Sequence, residues 1–126
     1  MAIDRVSKPK YIIGQSTAAT FQGPWLNVMG LDNLSFHAQW TGTTAGTLTV
    51  EGSNAEDVMD VNTRLVTPST RMTPSTLATL AAGNPAGGAG QVIFPVTGVA
   101  TKWARLVFTR SAGTGALDCA FAGKGI

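Results

Sequence analysis

The most regular pattern in the sequence is an alternation of apolar and polar residues over positions 34–53. Every second residue of its first half is apolar, namely Leu34, Phe36, Ala38 and Trp40. Because successive side chains of a strand point to opposite faces, these residues share one face. The segment 41–46 is rich in Gly and Thr, and the alternation resumes after it with Leu48 and Val50. Two such runs joined by a short loop containing Gly predict a β-hairpin.

A similar pattern returns over positions 104–121. Small residues at 111–115 separate two alternating apolar sets, which are Ala104, Leu106 and Phe108, then Leu117, Cys119 and Phe121. The stretches WTGTTAGTLTVEGS and FTRSAGTGALDCAFAG both place an aromatic residue and a Thr before the turn. We interpret them as two related hairpins, one in each half of a β-sandwich. The alternative is that all hairpins with small-residue turns look alike.

The length of 126 residues indicates one domain that can bury a core without disulfides. The weak helix signal and the abundance of Thr, Val, Gly and Ala favour an all-β fold. We therefore predict an antiparallel β-sandwich of jelly-roll type over residues 11–126, with little or no helix. Residues 1–10 combine Pro9 with several charges, which predicts an N-terminal arm rather than a core strand.

The segments between these runs are less regular. Trp25, Leu26 and Val28 are core candidates after a turn at residues 23–24, and residues 91–96 form a strand that Pro95 places at a sheet edge or strand end. In the Ser- and Thr-rich segment 63–82, two prolines exclude a long helix and a central strand, which leaves a helical turn or a short strand. The sequence GNPAGGAG at 83–90 predicts a flexible loop, and it lacks a phosphate-binding motif.

The low fraction of charged residues is the compositional feature that bears most on function. Charged residues make up 13% of the chain, against roughly 25% in typical soluble domains. Asp32 is the sole charge between Tyr11 and Val50, and none lies between Met72 and Thr101. Since interface cores are depleted in charge, this favours a protein that packs against neighbours. A neutral surface kept soluble by hydroxyl groups is the alternative.

Charge and hydropathy also exclude several classes of partner and several cellular locations. A net charge of +2 without a run of Lys or Arg predicts no nucleic-acid binding. No apolar run reaches the ~18 residues of a membrane helix, and no signal peptide is visible. We therefore expect no membrane partner and a complete small gene product. A single cysteine, Cys119, permits no internal disulfide and suits a reducing compartment.

No set of residues forms a catalytic motif. His37 is the single histidine and lies on the polar phase of its strand, whereas Cys119 lies on an apolar phase, where burial raises a thiol pKa. The acidic residues of 54–62 are adjacent on one stretch, which predicts a solvated loop rather than a cation site or a pair of catalytic carboxylates. We expect no enzyme activity, metal ion or cofactor.

Three tryptophans remain as candidates for binding. Trp40 shares its phase with core residues. Trp103 is opposite in phase to Leu106 and Phe108, so we expect it to be exposed or at a subunit contact. Trp25 and Trp103 could also form a sugar-stacking platform, as in carbohydrate-binding β-sandwich modules. A core or interface role is favoured over sugar binding.

The pieces FHAQWTGTTAGTLTVEGSNAEDV and KWARLVFTRSAGTGALDCAF together resemble small β-sandwich virion proteins of tailed bacteriophages. The second piece carries the pattern of such proteins at Trp103, Arg105, Leu106, Gly113, Thr114 and Gly115. The resemblance covers about a third of the chain, its motifs are structural, and residues 63–90 have no counterpart in it.

The resemblance implies a non-enzymatic capsid decoration (cement) protein, or alternatively a tail, baseplate or neck component. Proteins of this kind form oligomers, often homotrimers, that bind the major capsid protein on the virion surface after synthesis in the host cytoplasm. We expect contacts through the arm, residues 2–10, and the uncharged segment 73–90. The predicted interface residues are Arg5, Lys8, Lys10, Trp103 and Arg105.

Overall fold

The computed structural model describes residues 10–79, 85–97 and 99–124, which form eleven strands and no helix. The strands are β1 (Lys10–Ser16), β2 (Phe21–Gln22), β3 (Leu26–Asn27), β4 (Asn33–Trp40), β5 (Ala45–Ser53), β6 (Asp57–Met59), β7 (Val66–Pro68), β8 (Ser75–Thr79), β9 (Gly90–Val96), β10 (Trp103–Ala112) and β11 (Ala116–Lys124). Every pairing between these strands is antiparallel. The predicted all-β sandwich is confirmed.

The strands form two main sheets and one small one. The first sheet has the order β1-β11-β4-β9, and the second has the order β2-β10-β5-β8, with β3 also paired to β10. The third contains β6 and β7 and is inserted between β5 and β8. This order can be described as one long antiparallel hairpin that is rolled up. Along the hairpin, β1 pairs with β11, β2 and β3 with β10, β4 with β9, and β5 with β8. Rolling it up adds the pairs β4 with β11 and β5 with β10. It is the jelly-roll order that we predicted.

The core lies between the inward faces of the two main sheets. Phe36 of β4 stacks on Phe94 with ring centroids 5.3 Å apart and meets the edge of Phe121 at 5.5 Å. From the second sheet, Leu48 and Leu106 are both fully buried. Complete burial of one such side chain stabilises the fold by about 1.5–3 kcal/mol. The residues that we placed in the core by alternation, including Trp40 and Cys119, are buried there.

The prediction of two hairpins is wrong. β4 and β5 lie in different sheets, and so do β10 and β11, so each connection arches across the sandwich. The alternation is the same for a hairpin and for an arch, because it fixes which side chains share a face but not which strand is the neighbour. The two similar stretches instead pair with each other, with Phe36 opposite Phe121 and Val50 opposite Leu106.

The connections of the two arches bind each other directly. The backbone N–H of Thr41 donates to the carbonyl of Ala116 at 3.0 Å, and the N–H of Thr43 donates to the carbonyl of Thr114 at 2.8 Å. In return, the N–H of Thr114 donates to Thr43 Oγ1 at 3.1 Å. We call this contact between residues 41–44 and 113–116 the loop crossing.

Glycine is required at the loop crossing because the two backbones are almost in contact. A Cβ atom on Gly113 would lie 1.8 Å from the carbonyl oxygen of Thr43, and one on Gly115 would lie 2.0 Å from that of Thr41. Gly113 also has a φ of 77°, which favours glycine. The Gly-Thr-Gly sequence therefore has a structural role.

The segments without a regular sequence pattern also form strands or contact the sheets. Pro95 lies in β9, an edge strand of the first sheet, as predicted. Within the described part of 63–82, the open choice is resolved as the short strands β7 and β8. The predicted acidic loop is in part a strand, since β6 pairs with β7. Of the predicted flexible loop, residues 83–84 lie outside the described ranges, whereas Pro85 is buried and its carbonyl accepts the N–H of Gly46 at 2.9 Å.

We expect Gly113→Ala to destabilise the protein by at least about 2 kcal/mol, because the side chain adds an unfavourable φ to a collision with backbone. Urea unfolding measures the change. Gly88→Ala is the matched control, since a Cβ there meets no atom within 4 Å, and we expect a change within about 1 kcal/mol. Equal effects of the two substitutions would contradict the close approach at the loop crossing.

Candidate functional site

The five predicted interface residues have different outcomes. Arg5 and Lys8 lie outside the described residues, and Lys10 begins β1 at the edge of the first sheet. Trp103 is 3% exposed, so the expectation of an exposed indole is wrong. Its phase on β10 is opposite to that of Leu106, as predicted, but neighbouring chain segments cover it. An interface role for these residues stays a prediction.

Arg105 is held by its own chain. Its Nε and Nη2 atoms donate to Glu51 Oε1 at 3.0 and 2.9 Å, and Nη1 donates to Gln22 Oε1 at 3.1 Å. The guanidinium also lies over the ring of Trp25, 4.2 Å from its centroid. This geometry combines a charge-assisted pair with a cation–π contact. Arg105 thus fixes Trp25 against the second sheet.

A cleft of about 610 Å³ lies at one end of the sandwich. Its lining comes from both main sheets and from the β6–β7 hairpin, and includes Trp25, Leu26, Val28, Leu34, Trp103 and Phe121. Its volume is within the range of roughly 300–1,000 Å³ that is typical of ligand sites. The structure therefore brings Trp25 and Trp103 into one concave site, although the sequence did not predict the cleft itself.

The polar groups of the cleft are few. The indole Nε1 of Trp103 is buried and has no hydrogen-bond partner among the residues that the structure describes. Leaving a buried donor unpaired costs about 1–3 kcal/mol. Asp57 also lines the cleft, and its carboxylate forms an ion pair with Lys102. The cleft thus suits an apolar occupant that supplies one hydrogen-bond acceptor. Because Trp103 is buried and Arg105 covers one face of Trp25, the two indoles do not form an open platform for sugar rings.

The outer face of the first sheet exposes several apolar side chains. The register places Tyr11, Ala120, His37 and Ile93 side by side in one row across the four strands. Tyr11 is 63% exposed, Ile93 is 64% exposed, and Ile13 beside a bulge in β1 is 81% exposed. We call this row together with Ile13 the apolar face.

Few charges accompany the apolar face. The row on one side of it contains Ala122, Ser35 and Pro95, and the row on the other contains Asp118, Gln39 and Gln91. The carboxylate of Asp118 accepts the backbone N–H of Gly14 at 2.6 Å. The signal for this face in the sequence lies in β1 and β9, which carry apolar residues on both phases, whereas the outward phase of β4 is polar.

The β6–β7 hairpin also exposes apolar side chains, which are Val58, Met59, Val61, Leu65 and Val66. Its turn is held by Asp60, whose Oδ1 accepts the N–H groups of Asn62 at 2.8 Å and Thr63 at 3.1 Å. The N–H of Thr63 and that of Asn62 lower the pKa of Asp60 below its ordinary value. The sequence did not predict this hairpin, because its apolar residues, at positions 58, 59, 61, 65 and 66, do not follow a period of two.

The residues considered for catalysis lie apart. His37 is exposed on the apolar face, with Nε2 3.5 Å from Gln91 Oε1. Cys119 is buried on the other side of the same sheet, and burial raises the pKa of its thiol to about 12. Within residues 10–79, 85–97 and 99–124, no three His, Cys, Asp or Glu side chains are grouped so that they could hold a metal ion.

Comparison with known proteins adds no family. No protein-family model matches this sequence, and no protein of curated function matches it significantly. None of the described residues forms a helix long and apolar enough to cross a membrane.

We expect Cys119 to resist thiol reagents in the folded protein. With a pKa of about 12, about one thiol in ten thousand is ionised at pH 8. Reaction with Ellman's reagent should therefore be negligible in buffer and complete in urea, where the thiol regains a pKa near 8.5, roughly the ordinary value. Rapid labelling of the folded chain would contradict the buried position of Cys119.

We expect Arg105→Leu to lower the free energy of unfolding by about 1–3 kcal/mol, because it leaves Glu51 half-buried without its partner. It should also change the emission of Trp25, which loses the guanidinium above its ring. Arg71→Leu is the matched control, since its ion pair with Glu56 is largely exposed and contributes about 0–1 kcal/mol. Thermal unfolding followed by tryptophan fluorescence measures both variants.

Proposed function

We propose that this protein is a non-enzymatic structural subunit of a tailed-bacteriophage virion, and specifically a capsid decoration protein. In this proposal it assembles as a homo-oligomer, with a trimer favoured, and binds the major capsid protein on the capsid surface. The observation that carries the proposal is the apolar face, an outer side of the jelly roll with large exposed apolar residues and few charges.

The composition of the apolar face suits a permanent contact better than a surface in water. Contiguous exposed apolar residues on a soluble chain mark interaction sites. Tyr11 and Ile93 lie on the two edge strands, with the small side chain of Ala120 and the exposed side chain of His37 between them. A partner can therefore approach the sheet closely at Ala120, while Tyr11, His37 and Ile93 pack around that point.

The outer face of the second sheet differs. There the ion pair of Arg105 with Glu51 and the threonines Thr47 and Thr49 replace the exposed apolar residues. This asymmetry supports one-sided attachment, with the first sheet toward a partner and the second sheet toward water. A typical specific interface buries roughly 1,600 Å² in total. Many weak contacts in a lattice then hold each subunit through effective concentration.

Other assignments remain as alternatives. A tail, baseplate or neck subunit would use the same apolar face. A carbohydrate-binding module is favoured by one observation, the presence of Trp25 and Trp103 in one cleft. The guanidinium over Trp25 and the burial of Trp103 count against it.

The proposal is tested by light scattering on the purified full-length chain and by co-sedimentation with capsids that lack it. We expect a closed oligomer that binds capsids, and we expect Ile93→Asp to weaken this binding at least tenfold. Such a loss corresponds to about 1.4 kcal/mol or more of binding free energy. The control Thr109→Asp, on an exposed residue of the second sheet, should leave binding unchanged. A monomer that does not bind capsids would overturn the proposal.

A further inference from the structure

The cleft contains an unpaired hydrogen-bond donor and open space beside apolar side chains, and a bound occupant would fill both needs. Trp103 is buried, with 3% of its surface exposed, and its Nε1 has no acceptor within residues 10–79, 85–97 and 99–124. The apolar side chains of Leu26, Val28 and Phe121 also line open space. A peptide segment with apolar side chains matches both needs, because each residue carries a backbone carbonyl that accepts one hydrogen bond.

The first described residue pairs with a residue that lines this cleft. Lys10 is opposite Phe121 in the pairing of β1 with β11, and Phe121, Ala122 and Gly123 all line the cleft. Residues 1–9 are therefore joined to the sheet next to it. Nine residues span roughly 30 Å when extended, which is ample to enter the cleft from this point.

We propose that residues 1–9 of the same chain bind in the cleft. The apolar side chains of Ile3 and Val6 occupy the space beside Trp25 and Phe121, and a backbone carbonyl of the arm accepts the N–H of Trp103. Tethering favours the chain's own arm over an external peptide, because a short linker gives an effective concentration in the millimolar range. This inference does not depend on the proposed function.

The charges of the arm have a lesser role in this proposal. Asp57 is the single carboxylate among the described residues that line the cleft, and Lys102 already binds it. The described lining residues therefore offer no free acidic group to Arg5 or Lys8. The arm is held by its apolar side chains, which distinguishes this proposal from an electrostatic contact.

The first experiment compares three full-length proteins in their binding of the apolar dye ANS. The double substitution Ile3→Asp with Val6→Asp should open the cleft and raise dye fluorescence several-fold over the unchanged chain. It should also raise the quenching of Trp25 by acrylamide. The control, Arg5→Gln with Lys8→Gln, alters the charged residues of the same arm and should leave both signals unchanged.

The second experiment adds a synthetic peptide of residues 1–10 to the opened double variant. The peptide should displace ANS, and a peptide carrying Asp at positions 3 and 6 should not. Trp103→Phe keeps a smaller aromatic ring and removes the N–H, so it should weaken peptide binding at least about twofold, since one neutral hydrogen bond is lost together with some packing. Circular dichroism verifies that each variant is folded.

Several outcomes would overturn the assignment. Equal dye binding by all three proteins, or equal competition by both peptides, would mean that the arm does not occupy the cleft. Dye binding that depends on protein concentration, together with a dimer that the double substitution dissociates, would place the arm in a neighbour's cleft instead. Strong dye binding by the unchanged chain would show a cleft open to an external ligand.

Discussion

The loop crossing is the constraint on which the rest of the fold depends. Two backbones meet there so closely that a single Cβ atom on Gly113 or Gly115 would collide with a carbonyl of the other loop. The buried hydroxyls of Thr17 and Thr44, 2.6 Å apart, extend this contact to the segment after β1. One loop connects β4 to β5 and the other connects β10 to β11, so their contact fixes how both connections pass from one main sheet to the other. It thereby sets the register of β4 against β11 and of β5 against β10.

Alternation in the sequence predicted the core and the fold class, but not the strand neighbours. Phe36, Leu48 and Phe121 were assigned to the correct face because the period of two depends on the local chain alone. Whether β4 pairs with β5 or with β11 is decided by long-range packing, which no local pattern records. The two stretches that look alike in sequence pair with each other in the fold, and no local pattern distinguishes this arrangement from two separate hairpins.

The candidate site was predictable only in part. Trp25 and Trp103 were recognised as candidates by residue type. The cleft that contains both of them is also lined by the small third sheet, and strand β6 of that sheet lies in a stretch that we interpreted as a loop. Arg105 was expected to face a partner, yet Glu51 and Trp25 satisfy it within the chain. The apolar face needed knowledge of both edge strands, because Tyr11 and Ile93 are far apart in sequence and share a row only in the folded sheet.

The pairing of β1 with β11 has a consequence for how the protein is made. Lys10 binds opposite Phe121, so the first strand of the sandwich has its partner near the last residues of the described chain. During synthesis, β1 therefore waits without this partner until residues 116–124 have left the ribosome. Such distant pairings fold slowly, because the entropy of closing the long loop is lost before the contact forms. Rapid synthesis of many copies would place these unpaired edges in contact with one another, so the yield of folded protein would depend on the rate of translation and on chaperones that shield β1.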